Sequence, residues 1–340
     1  MGKIITFGEI MLRLAPEGYY RFVQASSFGA VFGGGEANVA VSLANFGMDA
    51  AFVTKLPKHE IGQAAVNSLR KFGVDTSLIL RGGSRVGIYF LEKGASQRPS
   101  KVIYDRAHSA IAEAVPSDFD WPTIFRDASW FHFTGISPAI STGAADITLE
   151  ACKAARAAGI TVSCDLNYRK NLWPRERARA VMENLMEYAD ICIANEEDSE
   201  SVFGIRAGDT DVHSGKISRA GYEQTAKTLT ERFGFAQVAI TLRESITASD
   251  NNWGAMLYRD GIAYFSKKYA VRIVDRVGGG DSFAAGLIYG LINAMAPQEA
   301  LDFAAAASCL KHSVEGDFNQ VSAEEVLKLA GGDASGRVQR

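Results

Sequence analysis

Short apolar runs alternate with amphipathic segments along most of the chain. Such runs are nearly continuous in hydrophobic residues, as strands are when helices cover both faces of a sheet. The clearest of them lie at residues 3–10, 49–56, 128–136, 160–167, 189–195 and 236–242. Runs of this length and composition predict the buried strands of a mostly parallel sheet.

Between these runs, hydrophobic residues recur with the spacing of a helix. In residues 60–72, for example, Ala65, Leu69 and Phe72 follow one another at helical intervals. Further helices are predicted at 142–158, 175–188 and 219–233, and several of the helices end at glycine. Alternating strands and helices predict βαβ units, and therefore a doubly wound α/β domain that covers residues 1–330.

Two segments, 12–35 and 85–106, interrupt this alternation. They are rich in aromatic residues, β-branched residues and glycine, and they have no helical period. We expect them to form strands outside the main sheet, as a small β lid inserted into the domain. A hairpin is predicted around Asp260-Gly261, which stands between two β-type runs. Residues 331–340 are expected to be a flexible tail.

Composition narrows the classes of function. The net charge is −3 and no Lys/Arg-rich run occurs, which argues against nucleic acid or an anionic membrane as the main partner. No apolar stretch reaches the length of a membrane-spanning helix, and the N-terminus does not resemble a signal peptide. His132 and the four scattered cysteines are interpreted as core residues, the cysteines reduced. A cytoplasmic protein is therefore expected. The cysteines are Cys152, Cys164, Cys192 and Cys309.

A glycine-rich stretch, FGGGEANVAVSLANFG, occupies residues 32–47. Gly33–Gly35 allow a close approach of backbone or ligand, and Asn38 is expected to open the following helix. An ordinary strand-to-helix turn explains these residues equally well. The stretch is neither a P-loop nor a G-x-G-x-x-G fingerprint, so it does not by itself predict a nucleotide site.

A second glycine-rich stretch, GGGDSFAAGL, occupies residues 278–287. If Gly278–Gly280 surround the start of a helix, their N–H groups converge on one point, where the helix dipole adds partial positive charge. Asp281 would lie at the rim of this anion hole. An N-cap role explains the aspartate but not the three glycines before it. The stretch therefore favours an anion site beside a reactive carboxylate.

Two arginines occur near strand ends, in KVIYDRAHSAI (101–111) and CDLNYRKNLW (164–173). Each guanidinium can bind a carboxylate through two hydrogen bonds. Surface charge is the alternative, but Arg106 lies close to Tyr104 and Arg169 follows a buried strand directly. The pair predicts an anionic ligand.

Acidic residues follow a third buried strand, in ANEEDSE at 194–200. The carboxyl edge of a parallel sheet is where such folds bind ligands, and hydrated Mg²⁺ prefers oxygen donors of this kind. Acidic residues that open the next helix would favour its dipole, so this structural explanation remains equally open.

The two glycine-rich stretches resemble the paired motifs of the ribokinase-like (phosphofructokinase-B type) sugar kinases. Their order, their separation and the strand alternation between them also match, so the resemblance covers nearly the whole chain. Within that family, VIYDRAHSAI, DLNYRKNLW and LKHSVEGDFN (310–319) most resemble 2-keto-3-deoxygluconate kinases. The resemblance implies a doubly wound sheet with a β-stranded lid, in agreement with the pattern of the residues.

The resemblance also implies a reaction: ATP-dependent phosphorylation of a sugar hydroxyl, giving the 6-phosphate of the sugar acid. Asp281 would then be the general base, and the Gly278–Gly280 amides would stabilise the transferring phosphoryl group. Both roles suit phosphoryl transfer, which depends on positioning and charge stabilisation. An ordinary aspartate is ionised at pH 7 and can accept the hydroxyl proton.

Other roles follow from the resemblance alone. It implies a sugar site at Gly34, Asn38, Tyr89, Tyr104, Arg106, Arg169 and Asp317. It implies nucleotide contacts at Asn195, Thr241, Arg243, Ser245, Gly278 and Gly280, and Mg²⁺ contacts through water at Asp198 and Glu197. A homodimer through the lid is expected, and a requirement for a monovalent cation is left open.

The chain departs from the family pattern in two places. Asp198 stands where a glutamate is usual, and RESITASDNNWGA (243–255) replaces the usual glycine-rich nucleotide loop. Another sugar kinase, such as a fructokinase, is the nearest alternative, although Tyr104 and Arg106 favour a sugar acid. A catalytically silent sugar-acid-binding regulatory protein is a further alternative, against which the intact Asp281 and its glycines argue. A dehydrogenase is disfavoured because no dinucleotide fingerprint follows the first strand.

Overall fold

The computed structural model describes residues 2–195, 197–205 and 218–333. The strands are β1 (Lys3–Phe7), β2 (Met11–Ala15), β3 (Gly29–Gly33), β4 (Ala50–Leu56), β5 (Ile79–Arg81), β6 (Ile88–Glu92), β7 (Lys101–Asp105), β8 (Ala128–Thr134), β9 (Thr161–Asp165), β10 (Ile191–Ala194), β11 (Gln237–Ser245), β12 (Asp250–Arg259), β13 (Ile262–Phe265) and β14 (Tyr269–Arg272). The helices are α1 (Gly35–Asn45), α2 (Glu60–Arg70), α3 (Trp121–Ile124), α4 (Ser137–Ile140), α5 (Thr142–Ala157), α6 (Arg175–Met186), α7 (Asp198–Phe203), α8 (Arg219–Phe233), α9 (Gly279–Ile292), α10 (Pro297–Lys311) and α11 (Ala323–Ala330).

Ten strands form one large sheet, in the order β13-β12-β11-β10-β9-β8-β1-β4-β5, with β14 paired to β12. The strands from β11 to β5 in that order run parallel, and β12 is antiparallel to β11. The N-terminal strand β1 therefore lies inside the sheet, between β8 and β4. This arrangement confirms the predicted doubly wound α/β fold.

Helices cover both faces of the large sheet, which explains why its strands are apolar along their whole length. On one face, Phe131 and Phe133 of β8 pack with Met182 of α6 in a buried cluster. On the other face, Phe52 of β4 packs with Phe283 of α9 in a second cluster. Burial on both sides removes the polar alternation that a half-exposed strand would have.

The predicted helices agree with the observed ones. Helix α8 has the predicted bounds, whereas α2, α5 and α6 end one or two residues earlier than the hydrophobic pattern predicts. Gly73, Gly159 and Gly234 follow three of these helices with φ of +81°, +70° and +75°. Glycine adopts this left-handed conformation without the steric cost that a Cβ atom brings.

A second, smaller sheet has the order β3-β2-β6-β7, with β2 and β6 parallel. Its strands come from the two segments that lack a helical period, and β2 begins at Met11, one residue earlier than predicted. Every residue of β7 is exposed, and β3 is exposed over its first three residues. The two edge strands of the small sheet thus present their side chains to solvent.

The segment 243–255, expected to be an atypical nucleotide loop, is a β-hairpin. Strand β11 continues to Ser245 and pairs with β12, with Arg243 opposite Trp253. Thr247 closes the turn, because its hydroxyl donates to Asp250 Oδ2 at 3.0 Å and accepts from the Asp250 amide at 3.0 Å. The expectation of a loop is wrong because strand pairing, and not local apolar character, determines the structure here.

The predicted hairpin at Asp260-Gly261 is confirmed between β12 and β13. Both residues have positive φ, +51° and +78°, as a two-residue hairpin turn of the primed type requires. Of the predicted tail at 331–340, only residues 331–333 are among those described.

The histidine and three of the four cysteines that were predicted to be core residues are buried. Cys152, Cys164 and Cys192 are buried free thiols, and Cys309 is partly buried. His132 is fully buried, and burial lowers its pKa to about 3, so the ring is neutral. None of the helices in the described part of the chain is both long and apolar enough to span a lipid bilayer.

Candidate active site

A cleft of about 390 Å³ lies where the carboxyl ends of the parallel strands meet the small sheet. Its walls come from several parts of the fold: the ends of β9, β10 and β11, the strands β6 and β7, the start of α1, and the turn that precedes α9. It brings together most of the residues that the sequence predicted to be functional. They are Gly34, Asn38, Tyr89, Tyr104, Arg106, Arg169, Asn195, Thr241, Arg243, Gly278, Gly279, Gly280, Asp281 and Asp317.

Asp281 is the third residue of α9, and Gly278, with φ of +85°, caps the helix. The N-cap alternative for Asp281 is therefore wrong. Its carboxylate accepts a hydrogen bond from Asn38 Nδ2 at 2.6 Å. Burial raises the pKa of Asp281 to about 6, although the Asn38 hydrogen bond and the Arg169 charge act in the opposite direction. At neutral pH Asp281 is mostly a carboxylate and is a stronger base than an exposed aspartate.

The three glycines before Asp281 have different surroundings. A Cβ atom on Gly278 would lie 2.2 Å from the Asp317 carbonyl oxygen, and one on Gly279 would lie 2.6 Å from His312 Cε1. A Cβ atom on Gly280 would have no neighbour within 4 Å among the residues that the structure describes. Packing thus requires the first two glycines, whereas Gly280 faces open space at the start of a helix. First-turn amides have no partner within their helix, so this space is suited to an anion.

The first glycine-rich turn is packed tightly. A Cβ atom on Gly33 would lie 2.0 Å from Asp317 Oδ2, and one on Gly34 would lie 1.9 Å from the Glu9 carbonyl oxygen. Helix α1 begins at Gly35, so Asn38 lies in its first turn and does not open it, contrary to expectation. Its Oδ1 accepts from the Gly34 amide at 3.2 Å, which leaves Nδ2 to bind Asp281.

The two predicted arginines both line the cleft but have different partners. Arg106 is buried, and its Nε donates to Glu9 Oε2 at 2.8 Å. Arg169 donates to the Tyr168 carbonyl oxygen at 3.1 Å and has no ion pair within the described residues. A ligand carboxylate would therefore find the charge of Arg169 uncompensated by a direct ion pair, whereas Glu9 already neutralises Arg106.

Tyr89 and Asp317 bind each other at the edge of the cleft. The Tyr89 hydroxyl donates to Asp317 Oδ2 at 2.5 Å, and Arg13 donates to Asp317 Oδ1 at 2.8 Å. Burial raises the pKa of Asp317, and the Arg13 charge lowers it. Both oxygens of Asp317 already have a partner, so this carboxylate fixes the cleft wall.

The predicted nucleotide residues divide into two groups. Asn195, Thr241 and Arg243 line the cleft. Asn195 Oδ1 also accepts from the amides of Glu197 and Asp198, at 2.8 and 3.0 Å, and so fixes the turn that leads into α7. Ser245 is exposed at the end of β11 and does not line the cleft.

The residues predicted to contact Mg²⁺ do not reach the cleft. The Asp198 carboxylate is buried and accepts from the amides of Tyr168 and Asn195, at 3.0 and 3.2 Å. Glu197 is exposed, and Glu196 lies outside the described residues. No group of three or more potential metal ligands occurs in the described ranges. Asp198 and Glu197 do not fit direct coordination, contact through water stays a prediction, and we assign no step to a metal.

Several residues of the cleft wall were not predicted from the sequence. Asp165 ends β9, and burial, followed by the charges of Asp198 and Asp281, raises its pKa well above the ordinary value. Its position at the carboxyl end of a buried strand was a usable signal. Glu9, Arg276 and His312 carried no comparable local signal, because distant contacts place them in the wall.

The chain is similar to known proteins over nearly its whole length. The 2-dehydro-3-deoxygluconokinase from Thermotoga maritima, a solved structure, is 53% identical with a TM-score of 0.94, covering 97% of this chain and 98% of that one. The 2-dehydro-3-deoxygalactonokinase of Haloferax volcanii is 34% identical over 98% of both chains. The fructokinase from Xylella fastidiosa, solved with bound ATP, shares the fold at 23% identity and a TM-score of 0.78, covering 97% of this chain and 98% of that one. Residues 1–323 match the family described as pfkB family carbohydrate kinase. The chain therefore belongs to the pfkB family of carbohydrate kinases.

Proposed function

We propose that this kinase transfers the γ-phosphoryl group of ATP to the 6-hydroxyl of 2-keto-3-deoxygluconate, which is also called 2-dehydro-3-deoxygluconate. One observation carries the proposal: the buried carboxylate of Asp281 and the guanidinium groups of Arg106 and Arg169 line one cleft. The carboxylate suits the activation of a hydroxyl, and the arginines suit a substrate that carries an acid group.

In the proposed reaction, Arg169 binds the sugar carboxylate, with Arg106 beside it, and orients the sugar so that its 6-hydroxyl points at Asp281. Asp281 accepts the hydroxyl proton as the oxygen bonds to the γ-phosphorus, and the bond to the bridging oxygen of ADP breaks. The first-turn amides around Gly280 stabilise the charge on the phosphoryl oxygens. The products are the sugar 6-phosphate and ADP, with the proton on Asp281.

We place the nucleotide beside Asn195, Thr241 and Arg243, which line the cleft together with the glycine turn. The hairpin of β11 and β12 contributes Thr241, Arg243 and Trp253 to the cleft lining. Ser245 is exposed at the end of β11, and its contact with ATP stays a prediction.

The small sheet is proposed to be the lid over the sugar end of the cleft. Tyr89 and Tyr104, paired across β6 and β7, belong to the cleft lining, with ring centroids 6.1 Å apart. The exposed side chains of the edge strands, including Val31, Val102 and Ile103, support a homodimer through this sheet. Light scattering after size-exclusion chromatography tests the dimer, and Ile103→Lys should shift the mass towards that of a monomer.

The experiment that tests the function measures ADP release from Mg-ATP with 2-keto-3-deoxygluconate, its galactonate epimer, gluconate, fructose and ribose. We expect turnover with the 2-keto-3-deoxy sugar acids and little with the neutral sugars. Preference for fructose would instead identify a fructokinase. Absence of ADP above background with every substrate would favour the catalytically silent alternative.

A further inference from the structure

Lys311 is a buried lysine that the proposed reaction does not use. It ends α10, it is fully buried, and its ammonium group donates to the Val314 carbonyl oxygen at 3.1 Å. Burial lowers the pKa of Lys311, while the charges of Asp275 and Asp317 raise it. A lysine is rarely buried completely without a compensating role, because removing an ammonium group from water is costly.

Lys311 packs directly behind the glycine turn of the proposed anion hole. Its Cε lies 3.0 Å from the position that a Cβ atom on Gly278 would take. The Asp317 carbonyl oxygen lies 2.2 Å from the same position, so Lys311 and Asp317 pack together against this glycine. The lysine is thus next to the turn but does not line the cleft itself.

Lys311 balances the charge of the side chains behind this turn. Asp275 and Asp317 are both buried, and Arg13 binds both, through contacts of 2.6 and 2.8 Å. One guanidinium supplies one positive charge against two carboxylates. The Lys311 ammonium supplies the second, so the group of four side chains is neutral when all are ionised.

Neutrality matters because the anion hole must attract a highly charged phosphoryl group. Charges interact strongly over short distances in a buried site, where water screens them little. Without Lys311, the two carboxylates and Arg13 would leave a net negative charge directly behind Gly278. That charge would oppose the helix-start amides and would also make Asp281 harder to ionise, because Lys311 lowers the pKa of Asp281.

We propose that Lys311 is a positioning residue that acts as a resident cation behind the anion hole, and that the enzyme therefore needs no added monovalent cation. The proposal rests on the kinase function argued above. The sequence leaves open whether this chain requires a monovalent cation, and a resident ammonium group would remove that requirement. The ammonium group contacts a backbone carbonyl oxygen, that of Val314, and the charges of Asp275 and Asp317 favour a cation at this position.

The first test uses the unmodified protein. ADP release is measured in tetramethylammonium buffers, with the nucleotide as its Tris salt, and then with KCl, NaCl or NH4Cl at constant ionic strength. We expect rates to change by less than about twofold, because screening is held constant. A loss of about tenfold or more without K⁺ or NH4⁺ would overturn the proposal.

The second test is Lys311→Met, which keeps much of the side-chain volume but removes the charge. We expect kcat to fall by about 10²-fold in tetramethylammonium, as when one oxyanion-hole donor is removed, with little change in the KM for the sugar. Ammonium or K⁺ should restore part of the rate, and the acid limb of the pH profile should move to higher pH. Lys227→Met is the matched control, since the exposed Lys227 pairs with Glu231 within α8.

A readout independent of turnover separates this proposal from the proposed function. Calorimetric titration with Mg-AMP-PNP should show weaker binding to Lys311→Met than to the unmodified protein in tetramethylammonium, with recovery in KCl. Equal affinities, or unchanged kcat and pH profile, would overturn the role of Lys311. An unmodified protein that binds nucleotide but phosphorylates none of the sugars would instead overturn the proposed function.

Discussion

The two glycine-rich turns have similar sequences but are filled differently. At the first turn, Gly33 and Gly34 lie so close to Asp317 and the Glu9 carbonyl that no side chain fits. At the second turn, Gly278 and Gly279 are equally crowded, yet no atom of the described residues lies within 4 Å of the position that a Cβ on Gly280 would take. The contrast separates glycines that the fold requires from one whose absent side chain leaves room for a ligand.

The same contrast holds for polar side chains in the cleft. Asp317 and Arg106 have protein partners and therefore hold the walls in place. Asp281 and Arg169 are held less firmly by the described residues. Asp281 accepts a side-chain hydrogen bond from Asn38, and Arg169 donates one to a backbone carbonyl oxygen. We expect the groups that retain free hydrogen-bonding capacity to bind substrate, and the groups that are already paired to stabilise the fold.

The largest effect is expected for Asp281→Asn, because the amide cannot accept the hydroxyl proton. The kcat should fall by about 10³-fold or more, which is within the range for loss of a general base, while the KM for the sugar changes little. Steady-state ADP release measures both. Turnover within about tenfold of the unmodified enzyme would remove Asp281 from the role of base.

The same variant should be more stable than the unmodified protein above pH 6. The pKa of Asp281 is raised from 3.8 to about 6 in the fold, so ionisation costs stability as the pH rises through this interval. The cost is absent below about pH 4 and reaches at most about 3 kcal/mol above pH 6, at 1.36 kcal/mol per pKa unit. Thermal unfolding at pH 4.5 and pH 8 should show the gain in Tm mainly at pH 8.

Next in size is the pair Gly280→Ala and Gly34→Ala. Gly280→Ala should fold normally but lose about 10–100-fold in kcat, because its methyl group would displace the phosphoryl group by a fraction of an ångström. Gly34→Ala should lose about 1–3 kcal/mol of stability, because its methyl group meets the Glu9 carbonyl oxygen. Kinetics and denaturant unfolding compare the two. Equal activity in Gly280→Ala and the unmodified enzyme would contradict the assignment of Gly280 to ligand.

The arginines give the third test. Arg169→Ala should raise the KM for the sugar acid by about 10–100-fold, as expected for loss of hydrogen bonds to a charged group. Arg106→Ala should also weaken binding, but its main effect should be lower stability, because Glu9 then remains buried without its cation. Michaelis kinetics with thermal unfolding separates these outcomes, and unchanged KM in both variants would disprove the carboxylate site.

The smallest effect is a shift in the pH profile of Asn38→Ala. The Asn38 hydrogen bond lowers the pKa of Asp281, so its loss should move the acid limb of kcat/KM to higher pH. Activity should fall more at pH 6 than at pH 8. Ser42→Ala on the same helix is the control, because the Ser42 hydroxyl donates to the Asn38 carbonyl oxygen and not to the Asn38 side chain. Identical profiles would show that Asn38 does not tune the base.

The local pattern of hydrophobic residues was sufficient to predict much of this fold. Helix α8 and the strands of the small sheet were predictable because their periodicity, or its absence, is visible within 15 to 25 residues. The hairpin at 243–255 was not, because polar residues occupy β11 beyond Leu242 and only the pairing of Arg243 with Trp253 makes them a strand. Sheet pairing depends on residues that local sequence does not identify as partners.

The site divides in the same way. Gly278–Gly280 and Asp281 were predictable because a short motif contains the whole anion hole. Arg13 and Lys311 were not, since each matters through residues that are distant in sequence: Arg13 meets Asp317 across 304 positions. No composition or spacing rule distinguishes such a buried arginine from one on the surface.

The contact between Arg13 and Asp317 also imposes an order on biosynthesis. A ribosome that adds about 5–20 residues per second needs roughly 15–60 s to proceed from residue 13 to residue 317. During that interval the N-terminal strands have emerged, but the carboxylates that neutralise Arg13 have not. The nascent chain therefore carries Arg13 without these carboxylates until Asp275 and then Asp317 have been made, so this wall of the cleft forms late in synthesis.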